Sequence, residues 1–299
     1  MAKRKPIRHL MVNTNGIRIA NDPGFAEQLG TYMPDFEIYL QFDSFRPGVL
    51  EKMRGRDLTE IRIRALETLN RLNLSTTLVV TVEKGQNEDE IGEIIRYALR
   101  QRCVRGVTFQ PTSVSGRLDG FHAASARITN TEIRQAIIDQ SGLFTANDLV
   151  PVPCNPDALV MAYALKLGQE VVPLTNMIDP AFLLNNSRNT IVYEQDAALH
   201  EHMLKVFSTG ISVDRTAEKL HHLLCCLPEI HAPGLSYENL FRIIIMNFMD
   251  PWDFDVRAIK KSCVHIVHAD GRIIPFETMN LFYREGMEPK LHTLRQRIP

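Results

Sequence analysis

The sequence predicts an α/β protein with a parallel sheet in its first half, a mainly helical second half and a β-hairpin near its end. Four short apolar runs recur at similar intervals, at His9 to Asn13, Ile38 to Asp43, Thr76 to Val82 and Val104 to Gln110. The first three lead into helix-patterned segments, and parallel strands need crossover connections of this kind. Consecutive βα units gather their functional residues at the carboxyl ends of the strands. The candidates at these ends are Asn13, Gln41, Glu83 and Gln110.

The segments between the runs carry helix signals. Asn87 precedes acidic residues and an apolar stripe from Ile91 to Leu99, and we expect it to cap that helix. Looser apolar stripes predict helices over Ile61 to Leu72 and around Phe25 to Leu29. Thr129 opens a further helix after a loop that is rich in serine, glycine and alanine.

The second half has a different pattern. An Asn-Pro pair at its start predicts a helix that begins at Asn155, runs through Lys166 and ends at Gly168. A hairpin is predicted from Cys263 to Phe276, because an Asp-Gly pair between two β-rich runs is a strong turn signal. Further helices are expected at Glu194 to Phe207, Val213 to Cys225 and Ser236 to Met249.

Length and composition bound the class of protein. With 299 residues and 44% hydrophobic content, the chain can form one large domain or two ordinary ones. The loop in the middle predicts two, residues 1–125 and 126–299. A net charge of -1 gives no electrostatic case for nucleic acid or anionic membrane. No apolar stretch approaches the roughly 20 residues that span a bilayer, so we expect a cytoplasmic protein that is not integral to a membrane.

Several runs together resemble a known family. The first-half runs LMVNTNGIRIA, LQFDS with MRGRDL, VVTVEKGQNEDEIGEII and VRGVTFQPTSVSGR resemble strands three to six of the TIM-like barrel of radical S-adenosylmethionine (radical SAM) enzymes. The later runs VPVPCNPDALVMAYALK and KSCVHIVHADGRIIPFETMN resemble a subgroup that includes the archaeal tetraether lipid synthases and uncharacterised bacterial relatives. The order and spacing of these runs carry the resemblance, which covers nearly the whole chain.

The resemblance implies S-adenosylmethionine and a 4Fe-4S cluster as cofactors, and radical chemistry on an unreactive carbon of a small-molecule or lipid-like substrate. This family holds its cluster in a CxxxCxxC loop and binds the methionine amino group near a GGEP segment, and neither motif occurs in this sequence. We therefore expect the C-terminal portion of such an enzyme, inactive alone, that works with a missing N-terminal half or a partner chain. The alternative is a non-catalytic remnant or partner-binding module with a degenerate barrel. Either way, a barrel that begins at its third strand leaves His9 to Asn13 as an open sheet edge.

The resemblance also implies which side chains approach the cofactor. These are Asn13, Asn15, Gln41, Asp43, Arg54, Asn87 and Gln110. Arg54 is placed to meet the carboxylate of the methionine part, since a guanidinium can pair with both carboxylate oxygens. Gly16 is expected to allow a turn with positive φ. The alternative interpretation is that Asn87 only caps a helix and that Arg54 is a solvated surface residue.

The cysteines and histidines of the second half suggest a second candidate site, one that binds a metal. Four of the five cysteines, Cys154, Cys225, Cys226 and Cys263, are candidate ligands of an auxiliary metal site. His221 and His222 stand four residues before the middle pair on a predicted helix, so each pair could face one metal. The alternative is that buried cysteines behave as small apolar residues, which is the interpretation we adopt for Cys103.

Overall fold

The computed structural model describes residues 9–114, 122–152, 155–168, 170–176 and 237–284, together with Lys3 and Lys5. The predicted helices at Glu194 to Phe207 and Val213 to Cys225 lie outside these residues.

Within the described ranges the secondary structure alternates between strands and helices in the first half of the chain. The strands are β1 (Leu10–Thr14), β2 (Phe36–Gln41), β3 (Thr76–Val82), β4 (Val104–Pro111), β5 (Val150–Pro151), β6 (Leu159–Leu167), β7 (Glu170–Pro173), β8 (Leu240–Met246), β9 (His265–Val267) and β10 (Ile273–Pro275). The α-helices are α1 (Ile17–Asn21), α2 (Pro23–Gly30), α3 (Pro47–Arg54), α4 (Thr59–Leu72), α5 (Ile91–Arg100), α6 (Ala123–Ala126), α7 (Asn130–Ser141), α8 (Val256–Ile259) and α9 (Phe276–Thr278). Short 3-10 helices cover Glu88–Glu90, Leu174–Asn176 and Tyr237–Asn239, and a π-helix covers Met279–Tyr283.

One large sheet organises the fold. Its strand order is β1-β2-β3-β4-β8-β6-β5, and β7 pairs with β6. Strands β1 to β4 and β8 run parallel, whereas β6 runs antiparallel to β8. This arrangement confirms the predicted α/β class with a partial parallel barrel. The sheet crosses the predicted boundary after residue 125 through the pairing of β4 with β8, and the division into two domains stays a prediction.

The two faces of the sheet differ in chemistry because successive side chains of a strand point to opposite sides. On β2, Phe36, Ile38 and Leu40 join the apolar core, which also includes Leu66 of α4 and Ile94 of α5. The helices therefore cover this face. The alternate side chains of the parallel strands form a largely polar opposite face, which includes Asn13, Glu37, Tyr39, Gln41, Thr77, Thr81, Thr108 and Gln110.

A buried ion pair lies on the polar face. The Arg242 guanidinium donates hydrogen bonds to both carboxylate oxygens of Glu37, and His9 Nε2 lies 3.4 Å from the same carboxylate. Thr77 Oγ1 donates a further hydrogen bond to Glu37 at 2.6 Å. Burial raises the pKa of Glu37, but the charge of Arg242 and the hydrogen bonds from His9, Arg242 and Thr77 together outweigh that effect and hold the pKa at about 2. The pair joins β2 to β8 across two intervening strands, and it was not predicted from the sequence.

Two predicted helices are wrong. The segment from Asn155 to Lys166 forms strand β6 over most of its length, and the segment from Ser236 to Met249 contains strand β8. Both strands lie inside the sheet and are buried along most of their length. Such strands have nearly continuous apolar sequences, which by periodicity alone resemble buried helices.

Other predictions are confirmed. β9 and β10 form the predicted hairpin, in which Gly271 takes a φ of 86°. Thr129 caps α7 with a capping box, since it accepts a hydrogen bond from the Glu132 backbone while the Glu132 carboxylate accepts one in return. Gly16 has a φ of 81°, as expected of a glycine in a tight turn.

Candidate functional site

The candidate site lies where β1, β2 and β3 end. Asn13 and Gln41 were predicted here from the ends of separate apolar runs, and the structure brings them together. Gln41 Nε2 donates a hydrogen bond to Asn13 Oδ1 at 3.0 Å. Asn13 is exposed and Gln41 is half-buried, so both line an accessible rim.

Asp43 is the centre of the site. It lies two residues after the end of β2 and has a φ of 61°, and its side chain is fully buried. Arg54 donates to both of its carboxylate oxygens, at 2.8 Å from Nε and 2.7 Å from Nη2. Arg62 Nη2 donates to Asp43 Oδ2 at 2.8 Å, and the backbone N–H of Thr81 donates to Oδ1 at 3.0 Å. The carboxylate is thus enclosed by protein donors and holds Arg54 in place.

Arg54 is the last residue of α3 and points to the strand ends. Besides Asp43, its Nη2 donates to Gln41 Oε1 at 3.1 Å and to Thr81 Oγ1 at 3.0 Å. Its side chain is 32% exposed, so part of the guanidinium faces solvent. Burial lowers its pKa, but the hydrogen bonds and charge of Asp43 raise it above the ordinary value. Arg54 is therefore a fixed, permanently charged group rather than a freely solvated residue.

Asn87 is buried, and its amide joins three backbone groups. Its Oδ1 accepts from the Glu83 backbone N–H at 2.9 Å, and its Nδ2 donates to the carbonyls of Asp43 at 2.9 Å and Thr81 at 2.8 Å. It stands before the 3-10 helix that leads into α5, but its side chain makes no capping hydrogen bond. The interpretation of this side chain as a helix cap is therefore wrong. Asn87 instead ties the end of β3 to the loop after β2.

The remaining predicted residues lie around this centre. Asn15 is exposed, and its Oδ1 accepts a hydrogen bond from the Ile17 N–H at 3.2 Å, which supports the start of α1. Gln110 is the register partner of Thr81 near the end of β4. Glu83 Oε1 lies 3.2 Å from Nζ of Lys52 in α3.

Sequence reasoning missed Thr81, Lys52 and Arg62. Strand alternation could have identified Thr81. It lies on β3, two residues before Glu83, and side chains two residues apart on a strand point to the same side. Arg62 gave no signal, because a charged residue within an amphipathic helix is usually solvated, whereas this side chain is only 2% exposed.

The charges of the centre do not cancel. Two guanidinium groups, Arg54 and Arg62, share the single carboxylate of Asp43. The three side chains together carry one net positive charge, which the partly exposed Arg54 presents at the rim, and the exposed carboxylate of Asp57 also acts on the buried Arg62. Such an arrangement suits a carboxylate or phosphate group of a ligand, because Nε and Nη2 of Arg54 are bonded to Asp43, Gln41 and Thr81 while Nη1 has no acceptor among the described residues and can donate a charge-assisted hydrogen bond.

The sequence of this chain is similar to known proteins over the region that forms the site. Residues 1–98 match the radical SAM superfamily. This radical SAM match covers β1, β2 and β3 and includes Asp43, Arg54, Arg62 and Asn87. Over 328 aligned positions, the chain is also 27% identical to a 7,8-dihydro-6-hydroxymethylpterin dimethyltransferase of Methanocaldococcus jannaschii. That alignment covers 97% of this chain but only 64% of the relative, so the chain spans less than two thirds of the relative's length. The finer subgroup of tetraether lipid synthases stays a prediction.

The match to the radical SAM superfamily implies two cofactors, S-adenosylmethionine and a 4Fe-4S cluster. The residues of the candidate site fit the first of these. The charged centre and the polar rim suit the methionine part of S-adenosylmethionine, which carries a carboxylate. The described cysteines do not fit a 4Fe-4S cluster held by three thiolates. Burial raises the pKa of the Cys103 thiol to about 11, and Cys263 lies far along the chain and is exposed, with its Sγ 3.5 Å from the Lys261 carbonyl oxygen.

The predicted auxiliary metal site stays a prediction. Cys154, Cys225 and Cys226, with His221 and His222, lie outside the described residues. Within the described ranges, no three histidine, cysteine or acidic side chains are grouped so that they could hold a metal ion. In the same ranges, no helix is long and apolar enough to cross a membrane.

Proposed function

We propose that this chain supplies the S-adenosylmethionine-binding rim of a radical SAM enzyme. The observation that carries the proposal is Arg54, which Asp43 fixes at the carboxyl ends of the parallel strands with part of its guanidinium exposed. This group pairs with the carboxylate of the methionine part. Asn13 and Gln41 offer amide groups beside it, and Gln110 borders the same rim from β4.

The roles of Asp43 and Asn87 differ from those that the resemblance implies. Both side chains are buried and bonded to protein groups, so in this proposal they hold the rim rather than contact the cofactor. The chain's own contribution is to orient the bound molecule. We propose that the cluster-binding residues come from a segment outside this sequence or from a partner chain, and that this chain alone is inactive.

The similarity to the methanocaldococcal protein suggests the class of reaction. Since that protein is named as a dimethyltransferase of 7,8-dihydro-6-hydroxymethylpterin, we propose methyl transfer to a reduced pterin or a related heterocycle as the activity of the complete enzyme. The C-terminal runs that resemble tetraether lipid synthases favour a lipid-like substrate as a second candidate.

Binding measurements with the Arg54→Gln variant test the proposal. Isothermal titration calorimetry should detect S-adenosylmethionine binding to the wild-type chain, and the variant should bind it at least about tenfold more weakly, since a charge-assisted hydrogen bond is lost. The control ligand is 5′-methylthioadenosine, which lacks the carboxylate and should bind both proteins equally. Absence of binding to the wild type, or equal weakening of both ligands, would contradict the proposal.

A further inference from the structure

Arg62 is an unusual residue for a helix that packs on a sheet. It lies on α4 and is almost fully buried against Asp43. Its Nε donates to the Gln41 carbonyl oxygen at 2.9 Å, and its Nη2 donates to Asp43 Oδ2. The guanidinium also lies 5.9 Å from the centre of the Phe42 ring. Arg62 thus meets the same carboxylate as Arg54, but from the interior.

This arrangement is electrostatically costly. Burial lowers the pKa of Arg62 and the positive charge of Arg54 lowers it further, whereas the carboxylates of Asp43 and Asp57 oppose that shift. A single arginine would suffice to neutralise Asp43, and burying a second charge carries a desolvation cost. The consequence of the second arginine is that Asp43 no longer cancels the charge of Arg54.

We propose that Arg62 is a positioning residue that sets the charge of the site: it shares the negative charge of Asp43 and so leaves Arg54 able to attract an anionic group. The inference rests on the proposed function, in which that anion is the carboxylate of S-adenosylmethionine. Arg62 itself does not contact the ligand.

Binding measurements on variants that first remove and then restore the positive charge distinguish this role of Arg62 from a merely structural one. The centre, formed by Arg54, Arg62 and Asp43, is neutral in Arg62→Met and regains one positive charge in the double variant Arg62→Met with Asp43→Asn. We expect Arg62→Met to bind S-adenosylmethionine about tenfold more weakly. The double variant should bind about threefold more tightly than Arg62→Met, because the positive charge is restored while Arg54 loses the carboxylate that holds it. Binding of 5′-methylthioadenosine should not change. Arg62→Lys keeps the charge and should keep most of the affinity.

The matched control is Arg257→Met, which removes one positive charge from an exposed side chain on α8 and should not alter binding. Circular dichroism and thermal unfolding establish that each variant is folded at the temperature of the titration.

If the folded double variant binds S-adenosylmethionine as weakly as Arg62→Met does, or if the binding of 5′-methylthioadenosine weakens in parallel, the charge role is overturned while the proposed function stands. If the wild-type chain binds no S-adenosylmethionine, both proposals fail together. If Arg62→Met does not fold, Arg62→Lys decides: affinity near that of the wild type supports the charge role, and a loss as large as that of Arg54→Gln overturns it.

Discussion

Replacing Arg242 with methionine should lower the free energy of unfolding by about 3–5 kcal/mol, because it leaves the Glu37 carboxylate buried without its main partner. Urea denaturation of the wild type and the variant at neutral pH measures this difference. The double variant Glu37→Gln with Arg242→Met should recover part of the loss, since no uncompensated charge then remains. The control is Arg257→Met, whose side chain is 92% exposed and which should change stability by less than about 1 kcal/mol. A similarly small change for Arg242→Met would show that the buried pair does not hold the sheet together.

Replacing Gly106 with alanine should destabilise the protein by about 3 kcal/mol, because the added methyl group meets the strand beside it. A Cβ atom at this position would lie 2.5 Å from the Arg242 carbonyl oxygen and 2.6 Å from its Cγ. Gly106 is the register partner of both Thr77 and Arg242, so the arginine side chain passes over this glycine on its way to Glu37.

Thermal and urea unfolding of Gly106→Ala against Gly48→Ala provide the comparison. A Cβ at Gly48 meets nothing within 4 Å, so its replacement within α3 should be neutral or slightly stabilising. Equal stability of the two variants would mean that Arg242 does not need this close approach.

The sequence predicted the first four strands because each is a short apolar run, and the first three runs are followed by helix-patterned segments. The register of the sheet then explains why Asn13 and Gln41 meet at one edge. β6 and β8 could not be predicted as strands, since burial on both faces removes the alternation that distinguishes a strand from a helix. Their place in the sheet depends on pairings between distant parts of the chain.

The candidate site was predicted only in part for a related reason. Strand ends identify Asn13, Gln41 and Gln110, because position in a βα unit is a local property. The roles of Arg62 and Asn87 depend on contacts with Asp43, a residue that neither is near in sequence. Similarly, Glu37 and Arg242 are 205 residues apart, and no local pattern in either strand predicts their pairing.

The most direct test of the central claim is a crystal structure of the full chain with S-adenosylmethionine bound. The account predicts that the methionine carboxylate lies within hydrogen-bonding distance of the Arg54 guanidinium, beside Asn13 and Gln41, while Asp43 and Asn87 keep their protein partners. A molecule bound elsewhere on the chain, or a carboxylate directed away from Arg54, would contradict it.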